Sequence, residues 1–78
     1  MRILLIEDDP SVADYVARGL SEQGHVCDTL ADGTDGLFQA TRETYDVLVV
    51  DRMMPGLDGL SMVRALRAAK RRTPVLFL

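Results

Sequence analysis

Cysteine is nearly absent: Cys27 is the only one in 78 residues, so no disulfide can close within the chain. The simplest setting for such a chain is a reducing compartment, and we expect the cytoplasm. Long apolar runs are missing too. None exceeds four residues, so we expect neither a membrane-spanning helix nor the hydrophobic segment of a signal peptide. Positive charge is in deficit, with nine Lys and Arg against twelve Asp and Glu. That balance argues against nonspecific nucleic-acid binding, which needs a basic surface. The cations that exist cluster at Arg64, Arg67, Lys70, Arg71 and Arg72. They read as the solvated face and C-terminal end of a helix, where cations complement the dipole. No repeat, low-complexity tract or linker divides the chain. At this length it is one domain or less, burying only about 60% of its unfolded surface.

What is present is alternation. Three aliphatic runs, Ile3 to Ile6, Val47 to Val50 and Val75 to Leu78, do not alternate with polar residues. Such runs read as strands buried on both faces. A more polar strand is expected from His25 to Leu30, as an edge. Between the runs the period becomes helical. Asp9 and Pro10 read as N-cap and first helical residue, Val12, Ala13, Val16, Ala17 and Leu20 as one apolar stripe, and Gly24 as the stop. A second helix is expected over about 34–43, with Leu37, Ala40 and Thr41 inward. A third is expected from about Asp58, with Leu60, Val63, Leu66 and Met62 inward, ending in the basic cluster before Pro74. The order β-α-β-α-β-α-β predicts an α/β fold, a parallel sheet with helices on both faces.

Three consecutive acids, Glu7, Asp8 and Asp9, leave the end of the first strand, and Asp51 leaves the end of the third. In open α/β sheets, ligands sit beyond the carboxyl ends of strands where the strand order reverses. Neighbouring first and third strands would bring Glu7, Asp8 and Asp51 into one crevice. Carboxylates that close repel one another unless a cation offsets them, and oxygen donors at a partly wet site suit magnesium. Asp9 reads instead as a helix cap.

The stretches "RILLIEDD" at 2–9, "DVLVVDRMMPGLDGL" at 46–60 and "TPVLFL" at 73–78 resemble the receiver domain of bacterial two-component response regulators. The resemblance covers the whole chain and implies a flavodoxin-like sheet. It implies that Asp51 is the phosphoacceptor, receiving a phosphoryl group from a sensor histidine kinase. It implies that Asp8, Asp51 and the backbone carbonyl of Met53 hold magnesium directly, with Glu7 acting through bound water. It implies that Pro55 and Gly56 shape the neighbouring loop and that Asp58 caps the third helix. Glu7 together with Met53 is similar to receivers attached to winged-helix DNA-binding domains. Transcriptional control would then run through an output domain outside these residues.

The family's switch Ser or Thr, its fifth strand with a lysine, and its last two helices would all follow Leu78. We therefore expect residues 1–78 to be the N-terminal portion of a receiver. We also expect self-association or exchange of elements through the bare sheet face and fourth-strand edge. The other candidate classes are an interaction module that never uses phosphate, and a magnesium-dependent phosphatase. Met53 stands where such a phosphatase carries its acid/base aspartate, so no turnover enzyme is expected. A flavin site would want a hydroxyl- and glycine-rich loop where this chain has acids. His25 reads as a cap residue, Tyr15 and Tyr45 as packing residues, and Cys27 as structural.

Overall fold

The computed structural model describes residues 1–78. Seven elements alternate along it: β1 (Arg2–Ile6), α1 (Pro10–Glu22), β2 (Val26–Leu30), α2 (Gly33–Arg42), β3 (Val47–Val50), α3 (Gly59–Ala68) and β4 (Val75–Phe77). All pairings are parallel, and the sheet order is β2-β1-β3-β4. No helix is long and apolar enough to cross a membrane.

Strand alternation sends the aliphatic runs to two cores. Leu4, Ile6, Leu48 and Val50 face one side, where Ala40 of α2 and Met62 and Leu66 of α3 cover them. Ile3, Leu5 and Val49 face the other, where Ala13, Val16, Ala17 and Leu20 of α1 pack. The more polar β2 lies at one edge, as its composition predicts, and β4 forms the other.

Each helix begins on an aspartate. Asp9 accepts from the N–H groups of Ser11 and Val12, Asp32 from Thr34 and Asp35, and Asp58 from Ser61. These bonds satisfy donors that the first helical turn leaves orphaned. At the far end of α1, Gly24 takes φ 86°, which only glycine adopts without strain.

Four packing expectations change. Leu60, expected inward, is 51% exposed. The Asp58 cap sets the phase of α3 so that Gly59, Met62 and Leu66 form its buried row. Leu60 is rotated about 100° from Gly59, out of that row. Val12, expected within the α1 stripe, is exposed, and α1 has no fully buried residue. In α2, Leu37 and Thr41 are half-buried, and Gly33, Gly36 and Ala40 make the close contacts. Leu76 pairs in register with Val49 on the α1 side and is 61% exposed, because α1 does not reach β4.

A polar cluster near the start of β1 has no counterpart in the sequence reading. Tyr45 is buried among the core residues, and its hydroxyl donates to Asp28 at 2.7 Å and accepts from Gln39. Burial pushes its phenol above the usual range. The Arg2 guanidinium lies 4.6 Å over the Tyr45 ring and pairs with Glu43 at 2.9 Å. His25 Nδ1 accepts from the N-terminal amine at 3.0 Å. Cys27 packs beside the smaller core.

Candidate functional site

The strand order reverses between β1 and β3: β1 leads to β2 on one side, and the chain then crosses to β3 on the other. The register aligns Ile6 with Val50. Glu7 and Asp51, the next residues on each strand, therefore emerge side by side. The Glu7 N–H donates to the Leu30 carbonyl at 3.0 Å, and the Asp51 N–H donates to the Ile6 carbonyl at 2.9 Å. Both acids are thus fixed by the last rungs of the sheet rather than by a loose loop.

Carboxylate oxygens of Glu7, Asp8 and Asp51 all lie within 4.8 Å of one another. Two full charges at that spacing repel by about 3 kcal/mol at an effective dielectric near 20. Glu7 is only 7% exposed. Burial, followed by its hydrogen bond to Asp51, pushes its carboxyl up to about 7. Asp51 moves the other way. The Met53 N–H donates to Asp51 Oδ1 at 3.0 Å and is the main cause holding that carboxyl below its usual range. Below about pH 7 and without a cation, Glu7 thus tends to hold a proton that faces the ionised Asp51.

Sequence reasoning named four site residues. Three of them, Glu7, Asp8 and Asp51, come together here. The Met53 side chain points to solvent, 83% exposed, while its backbone N–H touches Asp51. Asp9 stands apart as the α1 cap. Asp58 caps α3, and its bonds to the Ser61 N–H and hydroxyl hold its carboxyl low. The residue that sequence reasoning missed is Gly59. A β-carbon there would lie 2.6 Å from the Asp51 carbonyl oxygen and 2.9 Å from the Arg52 α-carbon. The start of α3 thus packs directly on the backbone that carries Asp51. The Asp58-Gly59 pair was visible as a cap signal, but this close approach was not.

Gly59→Ala should therefore cost about 1–3 kcal/mol of stability, as overpacking against backbone does. Thermal unfolding checks this, and an unchanged midpoint would show that the loop yields freely.

Fold and site together define an α/β domain of flavodoxin type with an acidic crevice at the strand switch. The response regulator receiver domain model matches residues 3–78, and the chain belongs to that family. It is 46% identical to the transcriptional regulatory protein HprR of Escherichia coli K12, covering all of this chain and 34% of that protein. The chain thus spans about a third of the length of that curated relative. Among solved structures, the receiver domain of the Francisella response regulator 1452 superposes with TM-score 0.94 at 36% identity, over 97% of this chain and 63% of that one. The receiver domain of the Pseudomonas aeruginosa PAO1 sensor histidine kinase PA1611 superposes with TM-score 0.92 at 35% identity, over 97% and 64%. That structure carries a magnesium ion coordinated in its active site cleft.

Proposed function

We propose that the chain is the phosphoacceptor portion of a bacterial two-component response regulator, with Asp51 accepting a phosphoryl group from the phosphohistidine of a sensor histidine kinase. Residues 1–78 would be the N-terminal portion of that receiver domain. The observation that carries this reading is the meeting of Glu7, Asp8 and Asp51 within 4.8 Å at the switch point.

The chemistry follows from the placement. Asp51 Oδ1 is engaged by the Met53 N–H, which leaves Oδ2 as the attacking atom. The lowered pKa keeps that carboxylate ionised and able to act as a nucleophile. Oδ2 bonds to phosphorus as the phosphorus–nitrogen bond of the donor breaks, and the histidine nitrogen leaves with the bonding pair. Water later attacks the aspartyl phosphate and releases inorganic phosphate. The donor set fits magnesium: hard oxygens, a partly wet crevice, and more negative charge than the site can hold unaided. Asp8, Asp51 and the Met53 carbonyl would hold the ion, and Glu7 would reach it through water. Bound there, magnesium supplies neutralisation of charge on the nucleophile and on the phosphoryl oxygens.

The chain would modify itself rather than turn over substrate, and it would work in the cytoplasm. Kinship with transcriptional regulators supports an output on DNA, delivered by a domain outside these residues. The exposed Leu76 and the edge position of β4 support self-association or exchange of elements.

The test is labelling of a full-length version with acetyl phosphate and magnesium, read by intact mass and peptide mapping. One phosphoryl group on the peptide containing Asp51 is expected. Label on another residue, or none in the presence of magnesium, would overturn the reading.

A further inference from the structure

A second surface lies on the opposite flank of the molecule from α1. Between α2 and α3 runs a groove of about 340 Å³, with Leu37, Phe38, Ala65 and Ala69 along it and Thr34 and Thr41 toward its two ends. Phe38 is 59% exposed there and belongs to neither core. The charges at the two ends differ. At the Thr34 end sits the Asp32 carboxylate, which accepts from the Thr34 and Asp35 N–H groups, with exposed Asp35 beside it. At the Thr41 end, Arg71 donates to the Thr41 carbonyl, and the Arg42 guanidinium lies 4.9 Å over the Phe38 ring. Glu43 at that end is already engaged by Arg2. The dipole of α2 opposes this polarity with only about half a charge at each end, so the side chains decide it.

We propose that the α2–α3 groove is a docking site for a second copy of this chain, packed antiparallel about a two-fold axis through Phe38. A uniformly basic groove would suit an acidic peptide. This groove is acidic at one end and basic at the other, so its complement is itself turned around. With Phe38 facing Phe38 across the axis, Asp35, one turn before it, faces Arg42, one turn after it, on the second copy. The axis makes the same contact twice, and the aromatic pair fills the centre. A two-fold interface of this kind is self-complementary and closed. It uses neither the acidic crevice nor the β4 edge, and it stands whether or not Asp51 accepts phosphate.

Sedimentation velocity across a concentration series, on the 78-residue chain, tests the proposal. Leu76→Lys is included in every arm to remove association through the β4 face. A dimer that weakens as salt is raised is expected. Asp35→Arg and Arg42→Asp should each weaken it by roughly tenfold, since the axis counts each surface charge contact twice. Mixing the two variants should restore association, because one copy then presents only cations at these positions and the other only anions. Phe38→Ala should weaken the dimer without changing its salt dependence. Circular dichroism verifies that each variant is folded. A chain that stays monomeric at every concentration overturns the proposal. So does a dimer indifferent to both charge reversals, or two variants that fail to pair on mixing.

Discussion

On the proposed reading, Asp51→Ala should abolish phosphoryl uptake from acetyl phosphate, while Asp8→Asn should leave the nucleophile in place and raise the magnesium concentration needed for uptake. The two outcomes separate two roles within one crevice. Asp51 is the carboxylate whose Oδ1 accepts from the Met53 N–H, and it is the proposed nucleophile. Removing it removes the attacking atom. Deleting one of three crowded acids relieves repulsion but also removes the Met53 N–H contact, so a folding control accompanies the result. Asp8 has no such backbone clamp, so its neutralisation should act through the cation. Labelling at a series of magnesium concentrations reads both effects, with circular dichroism as the control for folding. Uptake by the Asp51→Ala chain would remove Asp51 from its assigned role. An Asp8→Asn chain with unaltered magnesium dependence would remove Asp8 from the metal.

Glu7→Gln should stabilise the metal-free fold at and above neutral pH, and it should remove most of the decline in stability between about pH 4.5 and 7. The sign follows from where the proton sits. The Glu7 carboxyl has an ordinary value of 4.5 and is pushed up to about 7 in the fold. Between those values the folded chain holds a proton that the unfolded chain has lost. Stability is therefore greatest at the acid end of that window and falls as pH rises through about 7. A separation of about 2.5 pH units corresponds to at most ~3 kcal/mol. Asp51 has the opposite sign. Its lowered value contributes stability above 3.8 that is lost as pH falls, so the metal-free chain should be most stable in the mildly acidic range. Magnesium would supply the compensating charge and should flatten that decline between about pH 4.5 and 7. Urea unfolding across pH, with and without magnesium, measures all of this. A metal-free profile with no decline toward neutral pH, or a Glu7→Gln chain no more stable than its parent there, would overturn the assignment.

The strands were legible because their signal is local. Ile3 to Ile6 and Val47 to Val50 are continuous apolar runs, and a buried parallel strand needs little else. Their ends located the acids, since residues 7 and 51 follow directly on paired strands. Helix phase was harder to read. Leu60 and Met62 are both good core residues, and the Asp58 cap together with the close approach of Gly59 to the Asp51 and Arg52 backbone decides which one turns inward. Val12 was misplaced for a related reason: an apolar stripe shows which side of a helix faces the sheet, not how far the sheet extends beneath it. The cluster of Arg2, Asp28, Glu43 and Tyr45 was out of reach because its members are far apart in sequence. Only the sheet register brings them together.

The last rungs of the sheet have a consequence for motion. The amides of Glu7 and Asp51 are bonded into the β1–β2 and β1–β3 ladders, beside strands with no solvent exposure at Leu4, Ile6 and Val50. Such amides lose their protection against hydrogen exchange only when the ladder itself opens. Asp51 should therefore exchange as slowly as the central strands, while Met53, two residues on, exchanges with the loop. The Asp51 carboxylate then sits at the end of the central ladder, where the strand gives way to the loop. A chain built this way cannot lose its site by fraying at the rim: the crevice persists as long as the β1–β3 ladder does.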